Sequence, residues 1–209
     1  MSLICLKLNR IETMYKLGIT GGIGSGKTTV SSFLEEKGAV VFNADKESKK
    51  RLQSSISLQH KLIKLFGNTV TEKGHLILSK LAKVAFSNKL NQGLLNGIMW
   101  PEIMILIDKA IIEAEANNTK LFIVDAALIF EANIQNLLDS VLLISSPEEK
   151  RMSRALRRKN LPSSEIQQRM ALQLSENDKV EKADFIIYNT LTLKDLHIQV
   201  NSFYKTLKL

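Results

Sequence analysis

Little in this sequence can cross-link a fold or assemble a cage of soft metal ligands. Among its 209 residues there is one cysteine, Cys5, so no internal disulfide forms and a reducing, cytoplasmic location is expected. That lone thiol and three scattered histidines, His60, His75 and His197, argue against a structural zinc site. No apolar run approaches the ~18 residues that a membrane-crossing helix needs. Aromatic residues make up 6% of the chain, too few for prominent base-stacking platforms. Basic residues form only short clusters, such as Lys49-Lys50-Arg51 and Arg157-Arg158-Lys159. There is no internal repeat, no low-complexity tract and no Asn-Lys-x-Asp run of the kind that selects guanine. No nucleic acid, membrane or obligatory protein partner is therefore expected.

What is present is ordinary for a globular protein: 44% hydrophobic and 24% charged residues, in a length that suits one domain with an insertion. The net charge of +8 draws anions, whether nucleic acid, anionic lipid or polyphosphate metabolites. Residues 1–13 mix Leu3, Ile4, Leu6 and Leu8 with Lys7 and Arg10, without the order or the cleavage site of a signal peptide. They are expected to be an N-terminal extension with no catalytic role.

Short, continuous apolar runs mark the strands: Tyr15 to Thr20, Ala39 to Phe42, Leu121 to Val124, Val141 to Ile144 and Phe185 to Tyr188. Continuous rather than alternating runs are what a parallel sheet covered on both faces requires. Helical patterns separate them. Thr28 to Lys37 is one, closed by Gly38. Pro101 is placed for a first helical turn, with Ile103, Ile107, Ala110, Ile111 and Ala114 on one face behind it. Pro147 opens a helix toward Arg158, and Thr192 with Asp195 forms a capping box before a C-terminal apolar stripe. Strand-helix alternation implies an α/β fold with a five-stranded parallel sheet in three layers, α/β/α. Residues 45–118 contain no convincing strand and are expected to be a helical insertion.

The strongest motif is Gly21-Gly22-Ile23-Gly24-Ser25-Gly26-Lys27-Thr28, a G-x-x-x-x-G-K-[ST] loop that follows a strand and opens a helix. Glycines let successive backbone N–H groups turn inward onto phosphate oxygens. Lys27 sets a charge on the β- and γ-phosphates, the Thr28 hydroxyl is suited to Mg²⁺, and the helix dipole favours the anion. Nucleotide cofactor contacts are thus expected from Gly22, Ile23, Gly24, Ser25, Gly26, Lys27, Thr28 and Thr29. Such a loop establishes phosphate binding and leaves the reaction open.

Asp45 lies just past the second strand, at the sheet edge where ligands collect. Two readings stand: a carboxylate that accepts the proton of an acceptor hydroxyl, or a helix N-cap. Asp125 ends the third strand and either supports Mg²⁺ through water or caps a turn. Arg154 and Arg158 are one helical turn apart. Their mutual repulsion is relieved by an anion between them, which suggests a phosphate clamp on a lid; a solvated basic face is the alternative. Asn160-Leu161-Pro162-Ser163-Ser164 reads as the turn of that lid.

Together these pieces resemble the dephospho-CoA kinase family, over nearly the whole chain from Met14. Ile19-Thr20 with the loop through Thr29 is nearly the family's own. Asn43-Ala44-Asp45 is similar to its Asp-Ala-Asp, and Asp125-Ala126-Ala127-Leu128-Ile129-Phe130-Glu131 to its Pro-Leu-Leu-Phe-Glu stretch. Arg154 to Arg158 matches the lid's Arg-x-x-x-Arg, Arg169 and Gln173 also match, and Ala183 to Asn189 fits Ala-Asp-x-x-Ile-x-Asn. The resemblance implies a P-loop NTPase fold with a core of residues 14–44 and 119–209, a lid at about 150–165 and a helical CoA-binding lobe at 45–118. It implies that ATP, with Mg²⁺, phosphorylates the ribose 3′-hydroxyl of dephospho-CoA. It assigns Asp45 as base, Lys27, Arg154 and Arg158 as catalytic cations, Asp45 and Lys49 to the acceptor, and Asn189, with Arg158, to the nucleotide. Thr28 and Asp125 then serve the metal. Alternatives are another small-molecule P-loop kinase, acting on a nucleoside, nucleotide or sugar, and a nucleotide-dependent switch on nucleic acid. Departures are Asn43 for aspartate, Lys49 for arginine, Ala127 for proline, Trp100 for histidine and Leu78 for arginine. The last two fall in the lobe and are expected to be coupled, one apolar change tolerating the other.

Overall fold

The computed structural model describes residues 14–158 and 161–209. The extension expected at residues 1–13, which contains Cys5, and Asn160 of the lid turn lie outside them. The chain begins with β1 (Tyr15–Thr20), α1 (Lys27–Glu35), β2 (Val40–Asn43), α2 (Ala44–Ser54) and α3 (Ile56–Phe66). It continues through β3 (Thr71–Glu72), β4 (His75–Leu76), α4 (Leu78–Ala85), α5 (Lys89–Ala116), β5 (Leu121–Asp125) and β6 (Ser140–Ser145). It closes with α6 (Glu148–Arg157), α7 (Ser163–Ala171), α8 (Glu176–Lys182), β7 (Phe185–Tyr188) and α9 (Leu193–Thr206).

The five apolar runs form one parallel sheet in the order β2-β5-β1-β6-β7. Within β5 the side chains alternate between faces. Leu121 and Ile123 join Leu17, Ile19, Val30, Leu34, Leu196 and Val200 under α1 and α9. Phe122 and Val124 join Ile103, Ile107 and Phe130 on the other face, under α5. The central strands β5 and β6 are buried along their whole length and β1 along most of it, which is why they read as unbroken apolar runs. A third cluster, Leu52, Leu58, Leu62, Val70, Leu81 and Met99, packs α2, α3, α4 and the first half of α5 on one another. The register aligns Ile19, Asp125 and Asn43 across three neighbouring strands, at the carboxyl edge of the sheet.

Helix α1 ends earlier than its apolar pattern suggests. Gly38 adopts φ 93° and its N–H donates to Glu35 O at 2.9 Å, so the left-handed turn stops the helix. Two expectations are corrected. Pro101 does not open a helix; it lies inside the 28-residue α5, whose true start is capped by Asn88 accepting from Asn91 N at 2.9 Å. Proline removes the donor to Gly97 O, and Gly97 is exposed, so solvent can serve that carbonyl. The insertion also contains strands: β3 and β4 pair Thr71 with Leu76 and Glu72 with His75. Lys73 and Gly74 between them both have positive φ, 50° and 81°, as a two-residue hairpin turn demands. Two-residue strands carry no periodicity to read. The capping box at Thr192 and Asp195 forms as expected.

Candidate active site

The phosphate loop joins β1 to α1 at the carboxyl edge of the sheet. Gly26 is the N-cap of α1 with φ 108°, and Gly24 has φ 79°. Both need glycine twice over: a side chain would be strained at these angles, and a Cβ would overlap the Arg151 carbonyl at Gly24 or the Asn189 amide at Gly26. The loop is thus wedged between α6 and the end of β7. Ser25 N donates to Gly22 O at 3.0 Å, closing the turn. Lys27 Nζ folds back over it and donates to Gly21 O at 2.9 Å. Thr28 is exposed on the first turn of α1.

Charge converges on Lys27. Burial lowers its pKa, Asp125 and then Asp45 oppose that fall, and Arg158 and Arg151 reinforce it. Asp125, 3% exposed, is shifted the other way. Burial raises its pKa, Lys27 and a hydrogen bond from Ser31 restrain it, and Asp45 adds to the rise. Its Oδ2 accepts from Ser31 Oγ at 3.2 Å and from Asn43 Nδ2 at 3.4 Å. A carboxyl with a raised pKa binds protons in the folded state that it has lost in the unfolded chain. Stability therefore falls as pH rises from the ordinary carboxylate value through the raised one, and the penalty is complete above it. Asp125→Asn, which can still accept from Ser31, is accordingly expected to raise the ligand-free melting temperature at pH 7 by about 2–4 °C, for ~1 kcal/mol in a chain of this size. Melts from pH 5 to 8 check this; the gain should shrink toward pH 5, and a loss at pH 7 would contradict it.

Asp45 occupies the first turn of α2 and is exposed. It is not the cap of that helix. Asn43 is, through its side chain accepting from Lys46 N at 2.9 Å. Asp45 and Lys49 instead line a cavity of about 410 Å³ between the phosphate loop, represented by Ile23, and the insertion, represented by Leu78, Phe86 and Trp100. Leu78 and Trp100 thus face one shared space. Arg169 and Gln173 of the α7 segment complete its rim. Arg169 stacks over the Phe86 ring at 4.7 Å and pairs with Glu165 at 3.8 Å, and burial lowers its pKa against the pull of Glu165.

Arg154 engages the phosphate loop by hydrogen bonds, whereas Arg158 acts on it through its charge, which lowers the pKa of Lys27. The Arg154 guanidinium turns into the phosphate loop, donating to Gly24 O and Ser25 O, each at 3.4 Å, and to Ser146 Oγ at 3.1 Å. It also reaches Asn189 O at 3.1 Å and Oδ1 at 3.3 Å. Asn189 in turn donates to Ser25 O at 2.7 Å. Arg158 stands exposed at the end of α6. Arg154 and Asn189 therefore brace the loop from below.

Sequence reasoning passed over two residues here. Arg151 is buried, donates from Nε to Ser146 O at 3.0 Å and lies 4.0 Å from Glu176. Its spacing of three before Arg154 placed it on the same helical face, which was the available signal. Lys179 is 1% exposed, with its pKa lowered by burial against the pull of Glu131 and Glu176. Nothing in a mixed charged helix marks one lysine as buried.

For a metal the site offers few ligands. Among the described residues no group of three or more His, Cys, Asp or Glu side chains converges. A divalent ion therefore has to take most of its oxygens from phosphate and water, which is how Mg²⁺ usually binds in such sites. The Ser25 hydroxyl is buried and, among the described residues, has no hydrogen-bond partner, which suits a phosphate oxygen. Loop, lysine and orphan hydroxyl together fit a Mg²⁺–nucleotide.

The dephospho-CoA kinase family model matches residues 15–195. A dephospho-CoA kinase of Fusobacterium nucleatum is 34% identical over 192 residues, covering 91% of this chain and 97% of the relative. Among solved structures, a Thermus thermophilus protein superposes with a TM-score of 0.76 at 28% identity, over 93% of this chain and 98% of the other. The dephospho-CoA kinase of Campylobacter jejuni does so with a TM-score of 0.66 at 25% identity, over the same shares, 93% and 98%.

Proposed function

This chain belongs to the dephospho-CoA kinase family, and from that premise we propose how its residues divide the transfer of the ATP γ-phosphate to the ribose 3′-hydroxyl of dephospho-CoA. The observation that carries the reading is the cavity whose wall holds both Asp45 and Ile23 of the phosphate loop. A hydroxyl seated there meets a carboxylate on one side and the γ-phosphate on the other. Asp45 accepts the hydroxyl proton and orients the oxygen for in-line attack. Lys27 and the loop amides neutralise and hold the phosphates. Thr28 and Asp125 would hold Mg²⁺, which would add charge neutralisation at the phosphates. Lys49 and Arg169 on the cavity wall suit the acceptor's diphosphate. Arg158 serves the transferring phosphoryl group from the lid, and Arg154 and Asn189 act by fixing the loop. Residues 45–118 are the acceptor lobe, and residues 14–44 and 119–209 the nucleotide core, with the lid at about 150–165.

Both substrates are polyanions, which accounts for a net charge of +8 without nucleic acid. The reaction requires no protein partner. Among the described residues no helix is long and apolar enough to cross a membrane; the cytoplasm, where ATP is available, is the proposed location. The test is ADP release with Mg²⁺-ATP in the presence of dephospho-CoA and of a panel of nucleosides, nucleotides and sugars. Turnover that depends on dephospho-CoA and yields coenzyme A is expected. Turnover with another acceptor alone would replace the acceptor in this reading.

Leu78 and Trp100 line the same cavity, so their departures from the family pattern are expected to be coupled. In a cycle of Leu78→Arg, Trp100→His and the double variant, the effects on acceptor affinity should depart from additivity by about 0.5–3 kcal/mol. Strict additivity of acceptor KM would show the two positions to be independent.

A further inference from the structure

The cavity beside Asp45 does not end at Trp100. A second cavity of about 250 Å³ lies beyond it, reaching Lys89, Glu131 and Leu172. The two meet at four shared side chains, Gln92, Asn96, Trp100 and Leu128. Three of these, Gln92, Asn96 and Trp100, are successive four-residue steps along α5 and so lie in one row on its surface. Gln92 is 9% exposed, and among the described residues neither its carboxamide nor that of Asn96 has a hydrogen-bond partner. Both carboxamides line the cavities with no partner among the described residues, so their donors and acceptors are free to pair with a bound group.

A primary carboxamide presents a donor and an acceptor side by side and carries no charge. It matches a secondary amide in both senses. The surroundings agree: Trp100 and Leu128 give apolar walls, Lys49 and Arg169 line the first cavity away from the junction, and the second cavity balances Lys89 with Glu131. The junction thus suits a neutral, partly apolar chain that bears amides, and does not suit a phosphate. Resting on the reading of the chain as a dephospho-CoA kinase, we propose that Gln92 and Asn96, against Trp100, form the subsite that reads the amides of the acceptor's pantetheine arm. The adenosine 3′-hydroxyl then reaches Asp45 while the arm runs past the carboxamide row into the second cavity.

Gln92→Leu keeps the bulk and removes both polar groups. It is expected to raise KM for dephospho-CoA about tenfold while KM for ATP and kcat stay within about twofold, the signature of lost ground-state binding to one substrate. Unchanged KM for dephospho-CoA would overturn the subsite. An independent reading needs no variant, because Trp100 is the single tryptophan of the chain. Its emission should change when dephospho-CoA binds the wild-type protein. ADP-ribose, which has the same adenine, ribose and diphosphate but no amide arm, should leave it unchanged at concentrations that compete with dephospho-CoA. If ADP-ribose fails to compete at all, binding requires the arm, which supports the proposal. An equal response to both ligands would put the adenine at the junction and overturn it, as would silence to both. Failure of the subsite leaves coenzyme A formation intact, whereas failure of the functional reading abolishes it in the wild type.

Discussion

Replacing Lys27 with methionine is expected to lower kcat for coenzyme A formation by about 10³-fold, at the strong end of what one electrostatic contact to a developing charge contributes. Methionine keeps the length and volume and removes only the ammonium. In the ligand-free protein that ammonium is held over the loop by Gly21 O at 2.9 Å, between the fields of Asp125 and Asp45. Burial disfavours its charge, and a bound triphosphate restores the preference for it. The cation is thus in place before the nucleotide arrives and needs no reorganisation during transfer, which is why its loss should fall on kcat more than on binding. The substitution also removes the charge that restrains Asp125, so burial should lift that carboxyl further from its usual value. Initial rates of ADP release, with a melting curve to show the fold is retained, check this. A kcat within tenfold of wild type would remove Lys27 from its role.

Asp45→Asn carries the second large effect, a fall in kcat of about 10²–10⁴, the range for loss of a positioned base. Asp45 lies on the acceptor cavity wall, and Asn43 performs the capping that would otherwise explain an aspartate there. Asparagine preserves shape and one acceptor oxygen but cannot take a proton. KM for both substrates should therefore stay within a few-fold. Turnover that survives the change would keep the kinase and dismiss Asp45 as its base.

Much of the scaffold is readable from local pattern because local physics dictates it. The structure stacks all five apolar runs in one parallel sheet, the central ones buried and β2 and β7 partly exposed at its edges. The glycines of the loop announce angles that few other residues adopt, and Gly24 and Gly26 adopt them. What local pattern cannot carry is where long side chains end. Arg154 and Arg158 share a helical face, yet Arg154 hydrogen-bonds the loop carbonyls while Arg158 is exposed and reaches Lys27 only through its charge. Asn189, named by resemblance for the nucleotide, is engaged with Ser25 O. Pro101 misled because proline is a start signal only when nothing upstream caps the helix earlier, and Asn88 does. Of the acceptor cavity, resemblance supplied Asp45, Lys49, Leu78, Trp100, Arg169 and Gln173, but local pattern could not show that they meet, since its walls come from α2, α4, α5 and α7 as well as the phosphate loop. The carboxamide row of Gln92 and Asn96 on α5 carries no local signal, because only the fold turns it toward the two cavities.

The most direct measurement is phosphorus NMR of the product formed by the wild-type protein from Mg²⁺-ATP and dephospho-CoA. A new phosphomonoester on the ribose 3′-oxygen, appearing in step with ADP and absent with Asp45→Asn, is the expected result. ATP bound but no phosphomonoester formed, or a phosphate placed elsewhere on the acceptor, would contradict the seating of the 3′-hydroxyl between Asp45 and the phosphate loop.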